Sequence, residues 1–294
     1  MAKYTGKVVR SDLEGGFWTL ETDGGDVYKL EGGGADLLKK GVKAEVTGRA
    51  TGEGTLVAKV SPDGRTGVIV ELKCETDFAA GNERFRGLAN EIADAILAKG
   101  AQAKTAADAL KLPCGPGTVD EAIKAQIAGV IKENIKFEWF ERRELQGPAR
   151  IGTYIHPPGR LAVMVGVTLP SDAAAKKPEL DSALKDLAMH VAAAVPIPVA
   201  VDRDGVPKDL VATERRILKE QMDQDPKDSK KPDQIKDKII DGKMGRFFKE
   251  RALLEQPFVK DDSKSIEQML AEAGKSLGGA PKIAWFVRRQ LGGS

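Results

Sequence analysis

The chain contains an internal repeat, which any fold proposed for it must accommodate. The segment SPDGRTGVIVELKC, which begins at Ser61, aligns with HPPGRLAVMVGVTL, which begins at His156. Both segments have a proline, then a Gly-Arg pair, then a run of apolar residues. A proline with its fixed φ followed by a glycine is typical of a tight hairpin turn. Each copy is therefore predicted to begin with a β-hairpin.

The repeat continues beyond the hairpins. LANEIADAI, from Leu88, matches LAMHVAAAV, from Leu187, and both have apolar residues at helical spacing. WFERREL, from Trp139, matches WFVRRQL, from Trp285. Each copy thus predicts a hairpin, a helix, a variable stretch and a returning strand. The pattern predicts an α+β fold with two related subdomains, each an antiparallel sheet covered on one face by helices.

The second copy contains a long insertion, at about residues 207–257, between its helix and its last strand. PKDLVATERRILKEQMDQ and IKDKIIDGKMGRFFKERALLEQPF have helical character, and the polar stretch DPKDSKKPDQ separates them. Charge is dense in both, so we predict a protruding antiparallel helical hairpin, a coiled coil joined along a narrow apolar seam. The residues predicted for this seam are Leu210, Val211, Ile217, Leu218, Met222, Ile235, Ile239, Phe247 and Leu254.

Residues 1–50 differ in texture, with four or five short alternating segments separated by glycine-rich turns. They predict a small all-β, barrel-like domain. Its aromatic residues Phe17, Trp18 and Tyr28 could stack on bases. However, eight Lys and Arg residues are balanced by eight Asp and Glu residues, whereas phosphate binding favours a basic surface; nucleic-acid binding is therefore not favoured. The predicted domains are 1–50, 51–148 and 149–294.

The residue types argue against a metal site and against an enzyme. The borderline metal ligands are Cys74, Cys114, His156 and His190, which lie far apart and form neither CxxC nor HExxH. There is no phosphate-binding GxxxxGK[ST] loop, so no catalytic residue, metal or cofactor is predicted. Cys74 ends an apolar strand, where an inert thiol is expected. With two cysteines, no apolar leader and no run of about 18 apolar residues, we predict a cytoplasmic protein without a membrane span.

One stretch, ELKCETDFAAGNERF (residues 71–85), passes from an apolar strand to the start of a helix. Thr76 and Asp77 are candidate helix caps. Phe78 either packs beneath that helix or is offered to another molecule. The equivalent turn of the second copy, VTLPSDAAAKKPEL, has no Asp-Phe pair, so packing common to both copies does not require one. His190, on a helix with an apolar face, is likewise either a core histidine or a contact residue.

Four stretches resemble one family. VELKCETDFAAGNERFRGLANEIA is similar to the signature of bacterial translation elongation factor Ts, and GTYIHPPGRLAVMVGV, LAMHVAA and LLEQPFVKDD resemble three further stretches of that family in the same order. The resemblance covers roughly residues 50–294. It implies a core of two related subdomains with a helical hairpin, as the repeat also predicts.

The resemblance further implies an activity: binding of elongation factor Tu in its GDP form and release of that GDP by disturbance of the magnesium and phosphate site. The cofactors concerned, GDP, GTP and magnesium, belong to the partner. The contact residues implied for this disturbance are Thr76, Asp77, Phe78 and Ala79. The additional partner contacts implied are Leu161, Ala162, Met189 and His190.

The chain departs from the family pattern at three places. The family opens with a small three-helix domain, whereas residues 1–50 predict strands. Ala79 stands in place of the usual valine, and Ala162 in place of a common glycine. These departures leave a second hypothesis open. In it, the chain is a binding or scaffold protein that keeps the core without exchange activity, and residues 1–50 engage RNA or a ribosomal partner. No oligomeric state is predicted.

Overall fold

A computed structural model gives the structure of this protein. It describes residues 2–11, 17–22, 27–30, 43–48, 52–126, 129, 131 and 133–293. The first four ranges are antiparallel strands: β1 (Ala2–Ser11), β2 (Phe17–Thr22), β3 (Val27–Leu30) and β4 (Lys43–Gly48), in the order β3-β2-β1-β4. The connections needed to form a barrel, and the side chains of Phe17, Trp18 and Tyr28, lie outside the described residues.

The first copy of the repeat forms a three-stranded antiparallel sheet with the strand order β5-β6-β9. A hairpin of β5 (Glu53–Val60) and β6 (Thr66–Cys74) is followed by α1 (Asp77–Gly81) and α2 (Glu83–Lys99). The variable stretch and the returning strand comprise α3 (Ala106–Ala109), β7 (Pro113–Cys114), β8 (Gly117–Thr118), α4 (Val119–Gln126) and β9 (Lys136–Glu144).

The second copy forms the corresponding sheet, in the order β10-β11-β14. Its hairpin and first helix are β10 (Ala149–His156), β11 (Leu161–Thr168) and α5 (Pro178–Ala193). The remaining elements are α6 (Lys208–Gln224), α7 (Asp233–Arg251), β12 (Pro257–Phe258), β13 (Asp261–Ser265), α8 (Ile266–Leu277) and β14 (Lys282–Gln290).

The two sheets share an irregularity. The ladder between β6 and β9 shifts register immediately after Glu71, and the ladder between β11 and β14 shifts immediately after Gly166. These two residues are equivalent in the alignment of the repeat, and they pair with the equivalent residues Trp139 and Trp285. Because a β-bulge bends its strand at a defined point, the match extends the repeat from sequence to backbone geometry. The predicted α+β class with antiparallel sheets is confirmed.

Alternating residues of each central strand serve two interfaces. One face of each strand packs against helices, with Val68, Val70 and Leu72 in the first copy and Val163, Val165 and Val167 in the second. The opposite faces meet in a shared cluster of Leu56, Ile69, Ile151, Ala162, Met164 and Leu291. The layer order is therefore helix, sheet, sheet, helix, and the two copies are joined through the backs of their sheets.

The inserted helices α6 and α7 run antiparallel, since Arg215 forms an ion pair with Asp241 and Lys236 with Asp223. Their buried seam contains Leu218, Met222, Ile240, Met244 and Phe247. Three residues that we predicted for this seam lie elsewhere. Ile217 and Ile235 point to solvent, and Leu254 packs against the second core cluster. Of the described residues, no helix is both long and apolar enough to cross a membrane.

Candidate protein-binding site

The turn after β6 is held by a capped single-turn helix. Thr76 has an extended backbone (φ −124°, ψ 156°), and its Oγ1 accepts a hydrogen bond of 3.2 Å from the N–H of Ala79. The predicted cap is therefore Thr76. The Asp77 carboxylate instead accepts from the N–H of Phe78 at 2.9 Å. An N-cap of this kind is worth about 0.5–2 kcal/mol, which is substantial for a helix of five residues.

A distant carboxylate also fixes the cap. Thr76 donates its N–H to Glu133 Oε2 at 3.1 Å and its hydroxyl to Glu133 Oε1 at 2.7 Å. Glu133 lies just before β9, on the segment that returns to the sheet. Sequence reasoning did not identify it, because an acid 57 residues away carries no local signal of this contact.

Neighbouring residues of the turn point in opposite directions. Ala79 is buried in the first core cluster, whereas the side chain of Phe78 is 86% exposed. Of the two alternatives for Phe78, packing beneath the helix is therefore wrong. An exposed aromatic ring forgoes about 1.5–3 kcal/mol of burial, and a large apolar side chain in water is an informative observation for a binding surface.

Cys74, at the end of β6, is an inert thiol as predicted. It is buried, and its Sγ donates to the carbonyl oxygen of Thr76 at 3.3 Å. Burial, followed by the charge of Glu133, raises the pKa of the Cys74 thiol to about 11. Since the thiolate is the reactive form, Cys74 does not supply a nucleophile at neutral pH.

The other four predicted contacts lie in the second copy. Ala162 is fully buried between the two sheets, and Leu161 is half-buried at the edge of the second core cluster. On α5, Met189 is half-buried and His190 is 1% exposed. In this structure Ala162 and His190 offer no side-chain surface, so their role as partner contacts stays a prediction.

His190 is the centre of a buried polar network. Its Nδ1 accepts from the N–H of Val259 at 3.3 Å, so Nε2 carries the proton and donates to Gln256 Oε1 at 3.0 Å. Gln256 Nε2 donates in turn to the carbonyl oxygens of Pro196 and Glu250, both at 2.8 Å. Burial lowers the pKa of His190 below its usual value. The network ties α5, the end of α7 and β12 together.

A pocket of about 660 Å³ opens beside this network. Its lining includes His190, Gln256, Val195 and Val259, and Val195 is 94% exposed. Within the described ranges, no group of three or more His, Cys, Asp or Glu side chains is arranged to hold a metal ion. Among the large hydrophobic residues that the structure describes, Phe78 and Val195 are the two most exposed, and they lie one on each copy of the core.

The exposed ring of Phe78 on its capped turn, and the exposed Val195 beside a pocket, are features of a surface that binds another protein. Comparison with known proteins gives the family. The family model described as "Elongation factor TS" matches residues 75–293. The chain belongs to the elongation factor Ts family, and the resemblance noted in its sequence is confirmed.

Individual relatives agree over nearly the whole chain. The elongation factor Ts of Nitratidesulfovibrio vulgaris is 35% identical over 276 residues, which is 93% of this chain and 88% of the relative. That of Prosthecochloris aestuarii is 36% identical, with 93% and 91% covered. That of Aquifex aeolicus is also 36% identical, with 93% and 90% covered.

Proposed function

We propose that this protein is a guanine nucleotide exchange factor for elongation factor Tu. It binds the GDP-bound GTPase and promotes GDP release through contact, without covalent chemistry or a cofactor of its own. The relatives named elongation factor Ts support the partner, and the exposed ring of Phe78 on its capped turn is the observation that carries the proposal.

The turn residues divide the work. Phe78 supplies an apolar wedge, and the adjacent carboxylate of Asp77 is a hard oxygen ligand that competes with the phosphates for Mg²⁺. Thr76 and Ala79 hold the turn from its two sides. A GDP site depends on Mg²⁺ and on fixed backbone donors around the phosphates. A wedge that binds the GTPase with this site disturbed weakens the binding of GDP, and by linkage GDP weakens the binding of the wedge by the same factor.

Magnitudes show that Phe78 does not act alone. Lowering nucleotide affinity ten-thousandfold takes about 5.5 kcal/mol of differential binding, whereas one buried phenylalanine supplies about 1.5–3 kcal/mol. The second copy provides the balance in this proposal. Leu161 and Met189 present part of their surface, and the buried His190 lines the pocket beside Val195. Ala162 contributes through the packing between the two sheets that supports β11.

The test is the release of fluorescent GDP from the cognate elongation factor Tu, with and without this protein. Wild type is expected to accelerate release, and Phe78→Ala to reduce the acceleration about 10–100-fold, the equivalent of 1.5–3 kcal/mol. Ile235→Ala, which truncates an exposed apolar residue of the hairpin, is the control and should match wild type.

Two other results would change the proposal. If Phe78→Ala accelerates release as well as wild type does, the wedge assignment is wrong. If wild type binds elongation factor Tu without accelerating release, the chain is the non-exchanging binding protein of the second hypothesis.

A further inference from the structure

Glu133 reaches the exposed turn from outside the strand–helix unit that carries it, and it does so with a charged group. Its two carboxylate oxygens accept separately, Oε1 from the Thr76 hydroxyl at 2.7 Å and Oε2 from the Thr76 N–H at 3.1 Å. The same hydroxyl oxygen accepts from Ala79 N–H at 3.2 Å. A continuous chain therefore runs from Ala79 through Thr76 to Glu133. Charge-assisted bonds of this kind are the stronger ones, and linked bonds reinforce each other.

This series of hydrogen bonds fixes the orientation of the short helix α1. A single helical turn gains little from its own hydrogen bonds, so the position of α1 depends on what holds its ends. Two anchors do so: the burial of Ala79 in the first core cluster, and the hold of Glu133 on Thr76. Phe78 lies between these anchors, and its ring makes no buried contact of its own. Its direction is therefore set by its neighbours.

The second copy shows that the fold does not require the carboxylate. There Ser171 takes the place of Thr76, and its Oγ accepts from Ala174 N–H at 3.3 Å, so the equivalent hydrogen bond is retained. Alignment of the returning strands puts Gly279 opposite Glu133. Among the residues that the structure describes, no carboxylate accepts from Ser171. The two hydrogen bonds from Thr76 to the Glu133 carboxylate, which we call the carboxylate lock, therefore occur in the copy that carries the exposed ring.

We propose that Glu133 is a positioning residue for nucleotide exchange, which holds Thr76 so that Phe78 is presented in one pre-ordered direction. The inference rests on the proposed function, in which Phe78 contacts the GTPase. Pre-ordering a binding element improves association because less ordering remains to be done in the complex. Glu133 itself touches neither the nucleotide nor the partner in this proposal.

Two substitutions of Glu133 weaken the carboxylate lock to different degrees. Glu133→Ala removes both acceptors, and we expect the acceleration of GDP release to fall about tenfold, the effect of losing a hydrogen bond to a charged group. Glu133→Gln keeps one acceptor for the Thr76 N–H and turns an NH₂ donor toward the hydroxyl. In this variant the acceleration of GDP release should fall by about threefold. The order wild type, Gln, Ala is the expected result, and an equal or reversed order would contradict it.

A matched control exists in the same copy. Asp108 accepts the N–H and the hydroxyl of Thr105, at 3.0 and 2.8 Å, at the start of α3. Asp108→Ala removes the same pair of hydrogen bonds from a threonine that caps a different helix. It should leave GDP release unchanged, and a loss equal to that of Glu133→Ala would mean that any weakened cap suffices.

A second background separates positioning from stability. In protein that already carries Asp77→Ala and Phe78→Ala, adding Glu133→Ala should cause no further loss, because neither side chain that the turn presents is left to position. A further tenfold loss in that background would show that Glu133 acts through general stability and would overturn the inference. Thermal unfolding of every variant, with assays run well below the transition, ensures that folded proteins are compared.

Hydrogen exchange of the free protein reports on the lock without the partner. The Ala79 N–H, which is bonded to the Thr76 hydroxyl, should exchange about tenfold faster in Glu133→Ala than in wild type. Unchanged exchange at Ala79 would overturn the positioning role. If Phe78→Ala slows GDP release and Glu133→Ala does not, the inference fails and the proposed function stands. If wild type does not accelerate release at all, both fall.

Discussion

The turns that follow the central strands of the two copies are built alike. In the first, the Thr76 hydroxyl accepts from Ala79 N–H, and in the second the Ser171 hydroxyl accepts from Ala174 N–H. Both alanines are buried in the core cluster of their own copy. The hydroxyl-to-backbone hydrogen bond and the buried alanine are therefore common to both copies of the fold.

Between cap and anchor, the copies differ by one side chain. The first has Phe78 and the second has Ala173 at the equivalent position. Both side chains point to solvent, so the fold tolerates a methyl group where the first copy carries a ring. This contrast separates the residues that build the turn from the residue that the turn presents, and it indicates where each copy can be altered without loss of the fold.

The largest effect on stability is expected at the strand position that is Glu71 in the first copy and Gly166 in the second. Glu71 is fully buried and accepts from Arg289 at 2.6 Å and from the N–H of Gly292 at 3.2 Å. Glu71→Ala leaves the largely buried guanidinium without its carboxylate. Breaking a buried pair in this way costs about 3–5 kcal/mol, which urea denaturation would measure.

An exposed pair provides the control for that loss. Glu53 pairs with Arg160, which also links the two copies but lies in water. Glu53→Ala should cost about 0–1 kcal/mol, as is usual for exposed pairs. A cost at Glu71 no larger than that at Glu53 would show that the carboxylate is not needed to join the sheets.

The next largest effect on stability is expected when a side chain is added at the equivalent position of the second copy, Gly166. A Cβ at Gly166 would lie 2.5 Å from Cε2 of the Trp285 ring, and Trp285 is the residue paired with Gly166 on the neighbouring strand. Gly166→Ala should therefore destabilise the protein by about 1–3 kcal/mol through overpacking. Gly87→Ala, on α2 with no neighbour within 4 Å of the added Cβ, should instead stabilise it by about 0.4–1 kcal/mol. Urea denaturation distinguishes the two signs.

The sequence alone predicted these matched strands well, because each motif of the repeat can be recognised from a short run of neighbouring residues. The Pro-x-Gly turns, the apolar runs and the Trp-Phe strands each carry their own signal, and aligning them identified Glu71 with Gly166. The partners of these residues were not predictable. Arg289 and Glu133 lie 218 and 57 residues from the groups they bind, and only the folded chain brings them together.

The helical hairpin shows a different limit. Apolar residues of α7 are spread around the helix, so spacing did not choose between Ile235, which is exposed, and Ile240, which is buried. The facing helix decides which side becomes the seam. Similarly, helical spacing placed His190 on α5, but its partner Gln256 lies beyond the inserted hairpin.

A pH effect is expected at His190, whose equivalent in the first copy is the exposed Glu91. Burial lowers the pKa of His190 in the folded state, so the unfolded chain binds the proton more readily. Stability should therefore be full above the usual histidine pKa of about 6.5 and decrease as the pH falls below it. Urea denaturation between pH 5 and 8, roughly the histidine range, measures this.

The control for the pH effect uses the second histidine of the chain. His156→Gln should retain the loss of stability at low pH, and it also assigns the two histidine signals in a proton NMR titration. His190→Gln should remove the part of the loss that burial of the imidazole causes. An NMR signal of His190 that titrates above about 6.5, the usual histidine pKa, would contradict a pKa lowered by burial.

The smallest effect on stability is expected at the residue that distinguishes the two turns. Phe78→Ala makes the first turn resemble the second, and because the ring is 86% exposed, the free energy of unfolding should change by no more than about 0.5 kcal/mol. Phe85 lies seven positions along and is fully buried in the first core cluster. Phe85→Ala should lower the free energy of unfolding by about 3–5 kcal/mol. A substantial loss of stability in Phe78→Ala would mean that the ring supports the fold. An unchanged stability with slow GDP release would separate the presented residue from the turn that holds it, since the second copy already folds with alanine in that place.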